Sequence, residues 1–203
     1  MTISYPLNMP SSPGPRRVNI FAVSTIAVSR SPYTLKEHVH AFQGQAWGAE
    51  VILPTMTREQ ADEWTSWLLS LNGPQGTFRL GDPLAEEPRG LGPSGALVKG
   101  GGQSGQSLLI DGLPVSTSGI LLKGDYIEVE QRLYKVLSDV TSDGSGEATL
   151  DIWPRLRTSP IDNTNVLMRE CKGLFRLTQT TNPVYGADEN KYYEFSFSCI
   201  EAI

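Results

Sequence analysis

Almost everywhere in this chain, apolar residues recur at every second position, and only one segment switches to a helical period. Val18, Ile20 and Ala22 alternate in VNIFAVSTIAVSR. In TLKEHVHAFQG, Leu35, Glu37, Val39 and Ala41 share one face, and His38, His40 and Phe42 share the other. In QAWGAEVILP, the residues Trp47, Ala49, Val51 and Leu53 align. Strict alternation marks half-buried strands. These three segments read as three strands of an antiparallel sheet.

The helical exception is MTREQADEWTSWLLSLNGP. Thr57 and Gln60 stand in capping-box spacing, and Ala61, Trp64, Leu68 and Leu71 form one stripe that Trp67 widens. Asn72-Gly73-Pro74 closes it, because Gly73 suits a left-handed cap and Pro74 forbids continuation. Two tryptophans on a helix that faces a sheet read as core. One helix is expected, at about residues 57–72.

The turn-forming residues fit this class. Gly 20 and Pro 14 of 203 residues exceed the usual share of about 12%. Residues 84–106 are dominated by Gly, Pro and Ser and read as a linker after a short strand, Thr77–Leu80. Residues 107–165 then carry strands and the turn Asp143-Gly144-Ser145-Gly146, the pattern of a small antiparallel barrel. Beyond it, GLFRLTQTT and KYYEFSFSCIEAI alternate again. Their long apolar faces need the N-terminal strands as partners. The fold class is therefore mainly β. It combines a discontinuous β-sandwich or split barrel, residues 17–83 and 166–203, with an inserted small β-barrel. Residues 1–16, with four prolines, read as an extended arm that either frays or lies on a neighbouring subunit.

Several kinds of chemistry have no support in the sequence. A net charge of −5, with only Arg16-Arg17 and Arg155-Leu156-Arg157 as dense basic spots, disfavours a nucleic-acid partner. Cys171 and Cys199 are too few for a four-thiolate metal or iron–sulfur site. They read as reduced and partly buried. Gly90-Leu91-Gly92-Pro93-Ser94-Gly95 spells a dinucleotide motif but lacks the preceding strand and following helix. His38 and His40 could chelate a metal from one strand face, yet the spacing supplies no third ligand, and they read as surface or interface histidines. There is no G-x-S-x-G elbow, and Glu86-Glu87 read as a solvated loop. The expectation is a protein that is not an enzyme, with no cofactor, no metal, no catalytic residues and no membrane partner. The N-terminus lacks a signal-peptide pattern, and a soluble chain is expected. Tyr126, Tyr134 and Trp153 are the candidate surface-binding aromatics of the inserted barrel; as an alternative to that role, they pack its own core.

Three stretches together carry a resemblance. They are LPTMTREQADEWTSWLLSLNGPQGTFRLGDPLAEEPRG, GDYIEVEQRLYKVLSDVTSDGSGEATLDIWPRLR and GLFRLTQTTNPVYGADENKYYEFSFSCIEAI. From about Trp47 to the end, the chain resembles the distal tail and minor tail-tip proteins of long-tailed, siphovirus-type bacteriophages. The resemblance implies a structural virion protein, assembled in the host cytoplasm and located at the tail tip. Its partners would be further copies of itself in a homo-oligomeric ring, a hexamer, with the tail tube protein above and the baseplate hub and other tail-tip proteins below. The tape measure protein is a further expected neighbour. The arm and the Gly81–Gln106 loop would reach adjacent subunits, and an acidic wall would suit a channel for exiting DNA. The iron–sulfur domain of some tail-tip proteins is not expected here, since its thiols are missing. The alternative is a receptor- or carbohydrate-binding tail module.

Overall fold

The structure is a computed structural model describing residues 3–179, 186–187 and 192–203. The expected strand ends at Thr180–Thr181 and Lys191 lie outside the described residues. The fold is mainly β, with 44% strand and 8% helix, one α-helix, antiparallel sheets and one nearly closed barrel-like sheet.

The strands are, in chain order, β1 (Arg17–Arg30), β2 (Glu37–Ile52), β3 (Phe78–Leu80), β4 (Leu97–Val98), β5 (Gly105–Asp111), β6 (Ser118–Leu121), β7 (Tyr126–Val129) and β8 (Arg132–Val136). They continue with β9 (Val140–Thr141), β10 (Ala148–Leu156), β11 (Val166–Leu167), β12 (Gly173–Leu177), β13 (Gly186–Ala187), β14 (Tyr193–Glu194) and β15 (Ser196–Glu201). The helix α1 spans Arg58–Ser70.

A five-stranded sheet runs β1-β2-β15-β12-β3, so the late strands β15 and β12 lie between the early strands β2 and β3. The helix packs on this sheet through the expected stripe. Trp64 and Trp67 meet edge to face at 5.5 Å, and Trp67 meets Phe78 at 5.1 Å. At the helix start, the Thr57 amide donates to Gln60 Oε1 at 3.1 Å. Asn72 and Gly73 both take positive φ, at 51° and 65°, and end the helix.

The second sheet runs β11-β7-β8-β10-β5-β4 and curls until its two ends meet. The Val166 amide reaches the Ala96 carbonyl at 2.9 Å, and the Val98 amide reaches that of Thr164 at 2.8 Å. This corrects the reading of residues 84–106 as a linker. Ala96 and Val98 are fully buried in the barrel core, and the amides of Leu91 and Gly92 bond to the Gly119 and Ile120 carbonyls. Short apolar residues among glycines have no readable period, yet they complete the wall. The barrel extends correspondingly past 165, since β11 pairs with β7.

The hairpin of β7 and β8 is shared by both cores. Its two-residue turn, Glu130-Gln131, has positive φ at both positions, as a twist-matched hairpin requires. All four residues of β7 are buried. Ile127 and Val129 fill the barrel, whereas Tyr126 and, on β8, Leu133 belong to the core under the five-stranded sheet. Glu128, on the Tyr126 side, is ion-paired with Arg79 and accepts the Lys172 amide at 2.8 Å. Trp47 crosses the same junction. Its indole N–H donates to the Leu133 carbonyl at 2.9 Å, and its ring meets Trp153 at 4.3 Å.

Asp125, just before β7, ties the preceding loop to the barrel. Its carboxylate accepts the amides of Leu122, Arg89 and Gly90 at 2.8–3.0 Å. Burial by itself pushes this carboxyl up. The three amides, with the Arg89 guanidinium, outweigh burial and hold it below the ordinary carboxylate range.

The reading of the arm as a frayed terminus is also corrected. Residues 3–16 lie on the chain's own body. The Tyr5 hydroxyl donates to the Ser70 carbonyl at 2.7 Å, Leu7 bridges to Phe78, and the Trp64 indole donates to the Pro13 carbonyl at 3.2 Å. The prolines bar a longer ladder but not this strapping, which includes the one parallel bridge of Leu7.

Two outcomes are expected for the body. Trp47→Ala, which removes the ring between the cores, costs about 3–5 kcal/mol in urea denaturation. Asp125→Asn costs about 1–3 kcal/mol, because an amide cannot accept from all three N–H groups. The Asp125 contribution is present above the unfolded carboxyl value of about 3.9 and is lost as pH falls through the lower folded value. Asp125→Asn therefore flattens the acid limb of the stability curve.

Candidate functional site: a projecting hairpin

The sequence suggests three strands between Val18 and Leu53; the structure has two. β2 runs unbroken through Gln43-Gly44-Gln45, where a turn was expected, and pairs with β1 from Arg17↔Ile52 to Arg30↔Glu37. The glycine accommodates an irregularity in the register between Ser24 and Ile26, since a Cβ at Gly44 would lie 2.7 Å from Thr25 Oγ1. At Gly48 a Cβ would lie 2.4 Å from the Phe21 ring, which lies across the bare backbone.

β15 pairs with β2 only from Gly48 to Ile52. Beyond that point the hairpin leaves the body. Every residue from 21 to 44 is exposed except Ser31, which is half-buried. From Ala22 to Arg30 the arm reaches about 27 Å at about 3.4 Å per residue. The tip is ordered by backbone bonds between Ser31 and Lys36 and between Leu35 and Ser31, and by the Arg30–Glu37 pair at 3.7 Å.

The composition of the projection is unusual for exposed surface. Residues 21–29 and 38–45 contain no Asp, Glu, Lys or Arg; the charges are confined to Arg30, Lys36 and Glu37 at the tip. Depletion of charge is the compositional mark of an interface centre. Side chains alternate faces along a strand, and cross-strand partners share a face. Ile26, Val28, Val39 and Ala41 therefore continue the face that Val18, Ile20, Trp47, Ala49 and Val51 present to the core. Ile26 is 55% exposed, and Val28 and Val39 are each 60% exposed. The apolar side of the sheet thus runs out past its covering layer. The opposite face carries the exposed Phe21, Val23 and Phe42 together with Thr25, Ser29, His38 and His40.

Strand edges add a second feature. Among the described residues, β1 is the outer strand of its sheet along its whole length. The opposite edge, β3, is met by Leu7, and the barrel's edges meet each other. Long uncovered edges pair with other strands.

The residues singled out in the sequence are dispersed. Tyr126 and Tyr134 are buried and Trp153 is half-buried against Trp47, so the two tyrosines offer no ring to solvent for stacking. The Tyr134 hydroxyl is pushed up to about 12 by burial. The half-buried Arg157 lies 3.5 Å from the buried Glu201, which also accepts the Trp47 amide; burial raises the Glu201 carboxyl despite both contacts. The Gly90 amide of the letter-matched glycine motif is held by Asp125, and Glu87 pairs with Arg169. A cleft of about 350 Å3 lies between the arm and β3, lined by Met9, Pro10, Arg79, Asp82, Glu86 and Lys172, and Arg79 is engaged by Glu128 there. Among the described residues, no group of three or more His, Cys, Asp or Glu is placed to hold a metal ion. No helix among them is long and apolar enough to cross a membrane.

Cys171 and Cys199 are free and buried. Burial pushes both thiols up to about 12, so the reactive thiolate is scarce near neutrality. Neither thiol is expected to react with a disulfide reagent at pH 8 until denaturant is added, when both react. A thiol that reacts rapidly in the folded protein would contradict this burial.

Compared with known proteins, the chain matches no family model and no curated protein.

Proposed function

We propose that this protein is a structural, non-catalytic ring subunit of a bacteriophage tail tip, joining the tail tube to the baseplate hub. The projecting hairpin carries the reading. A free subunit exposes a largely apolar face about 27 Å long, at about 3.4 Å per residue, whose charges are confined to the Arg30–Glu37 pair at its end, together with a complete strand edge. A hexameric ring buries such a surface, with each hairpin lying on the next subunit. Repeated head-to-tail contact closes a ring when the rotation per subunit allows it. The likeness of the sequence to tail-tip proteins supports the location, and tail tube, hub and tape measure proteins are its proposed neighbours. The body supports the reading in another way. Its two β units share a wall and are braced by buried ion pairs, which suits a part that transmits position from one neighbour to another.

The test pairs Val28→Lys with Val39→Glu, keeping opposite charges across the strands. Both sites are exposed, so unfolding should change by no more than about 0.5 kcal/mol. The wild-type protein is expected to form a ring-sized species by mass photometry, alone or with its tail partners, and the double variant is expected to remain monomeric. Rings from the double variant would move the interface elsewhere. A wild-type chain that stays monomeric and fails to join assembled tails would overturn the reading.

A further inference from the structure

The hairpin face opposite the apolar one holds the only two histidines of the chain, His38 and His40. They are alternate residues of β2 and so project from the same side. Their ring centres are 5.2 Å apart and their planes cross at 87°. With metal–nitrogen bonds of about 2.0–2.1 Å, two imidazoles on one tetrahedral cation have ring centres about 5 Å apart. Among the described residues, neither imidazole is engaged in a hydrogen bond or an ion pair. The cross-strand neighbours on that face are Ala27, opposite His40, and Ser29, opposite His38. Both are small and leave the rings accessible.

The geometry points to a two-histidine chelate on the hairpin for a late first-row divalent cation. The cation is bound by one nitrogen from each ring. Its remaining positions go to water in the free subunit, since no group of three ligands is present among the described residues. Imidazole pairs prefer Cu2+ over Ni2+ and Zn2+. This assignment does not depend on the ring reading, because the chelate is complete within one hairpin.

The experiment is a calorimetric titration of metal-stripped, untagged protein with NiCl2 and with ZnCl2, at neutral pH. The wild type, His38→Ala, His40→Ala and Val28→Lys/Val39→Glu are compared. The expected result is saturable binding, tighter for Ni2+ than for Zn2+ and no more than one ion per chain. Each histidine variant weakens it by about tenfold or more, and the apolar-face variant retains it. Circular dichroism confirms that the exposed substitutions leave the fold intact. Binding that persists undiminished in either histidine variant, or the absence of saturable binding to the wild type, overturns the assignment. Loss of metal binding with rings intact, or loss of rings with metal binding intact, separates this site from the assembly surface.

Discussion

The rest of the structure depends on one strand pair serving two cores. β7 and β8 send Ile127, Val129 and Val136 into the barrel, and Tyr126 and Leu133 into the layer under the five-stranded sheet. β7 is buried on both faces, so the carboxylates on it and just before it, Glu128 and Asp125, have little access to water. Each is therefore matched inside: Glu128 by Arg79 and the Lys172 amide, Asp125 by three backbone N–H groups. Removing one partner of such a pair costs far more than the pair itself contributes, because it leaves an unsatisfied charge in a dry place. The junction is held in register by these requirements as well as by its apolar area.

Around that junction, the chain's ends and its middle are stitched into one body. The first residues strap α1 and β3, while the last strand inserts between β2 and β12. Residues 84–106 bond into the barrel wall. Both segments expected to reach outward are therefore occupied at home. The projecting element is the outer part of the β1–β2 hairpin, residues 21–44, which contributes no residue to either core.

The division between what the sequence reveals and what it hides follows from this. α1 is legible because its cap, stripe and stop agree in Thr57, Trp64 and Gly73. The alternation of Phe175, Leu177, Phe197 and Cys199 identifies strands whose faces are buried, and they are. Alternation states which side of a strand is apolar, but not whether anything covers that side. Val28 and Val39 look the same in sequence as Val18 and Val51, yet only the latter pair meets a second layer. Gly44 reads as a turn because its role, yielding space to Thr25, depends on a partner strand twenty residues away. Tyr134 packs in the barrel's own core, the alternative that the sequence offered, whereas Tyr126 turns into the second core, which the barrel segment alone does not reveal. The signal that could have marked the hairpin was available: seventeen stem residues without a charge in an otherwise acidic chain.

A projection that contributes little to folding is free to change. Substitutions at Ile26, Val28, Val39 or Phe42 alter no packed interior, so selection on what the hairpin touches is not opposed by selection on whether the chain folds. The body evolves under the tight constraint of a wall shared by two cores. If the hairpin docks on a neighbouring subunit as proposed, that neighbour is what constrains it. Lineages that exchange neighbours can then rewrite about two dozen exposed residues while the scaffold is inherited unchanged.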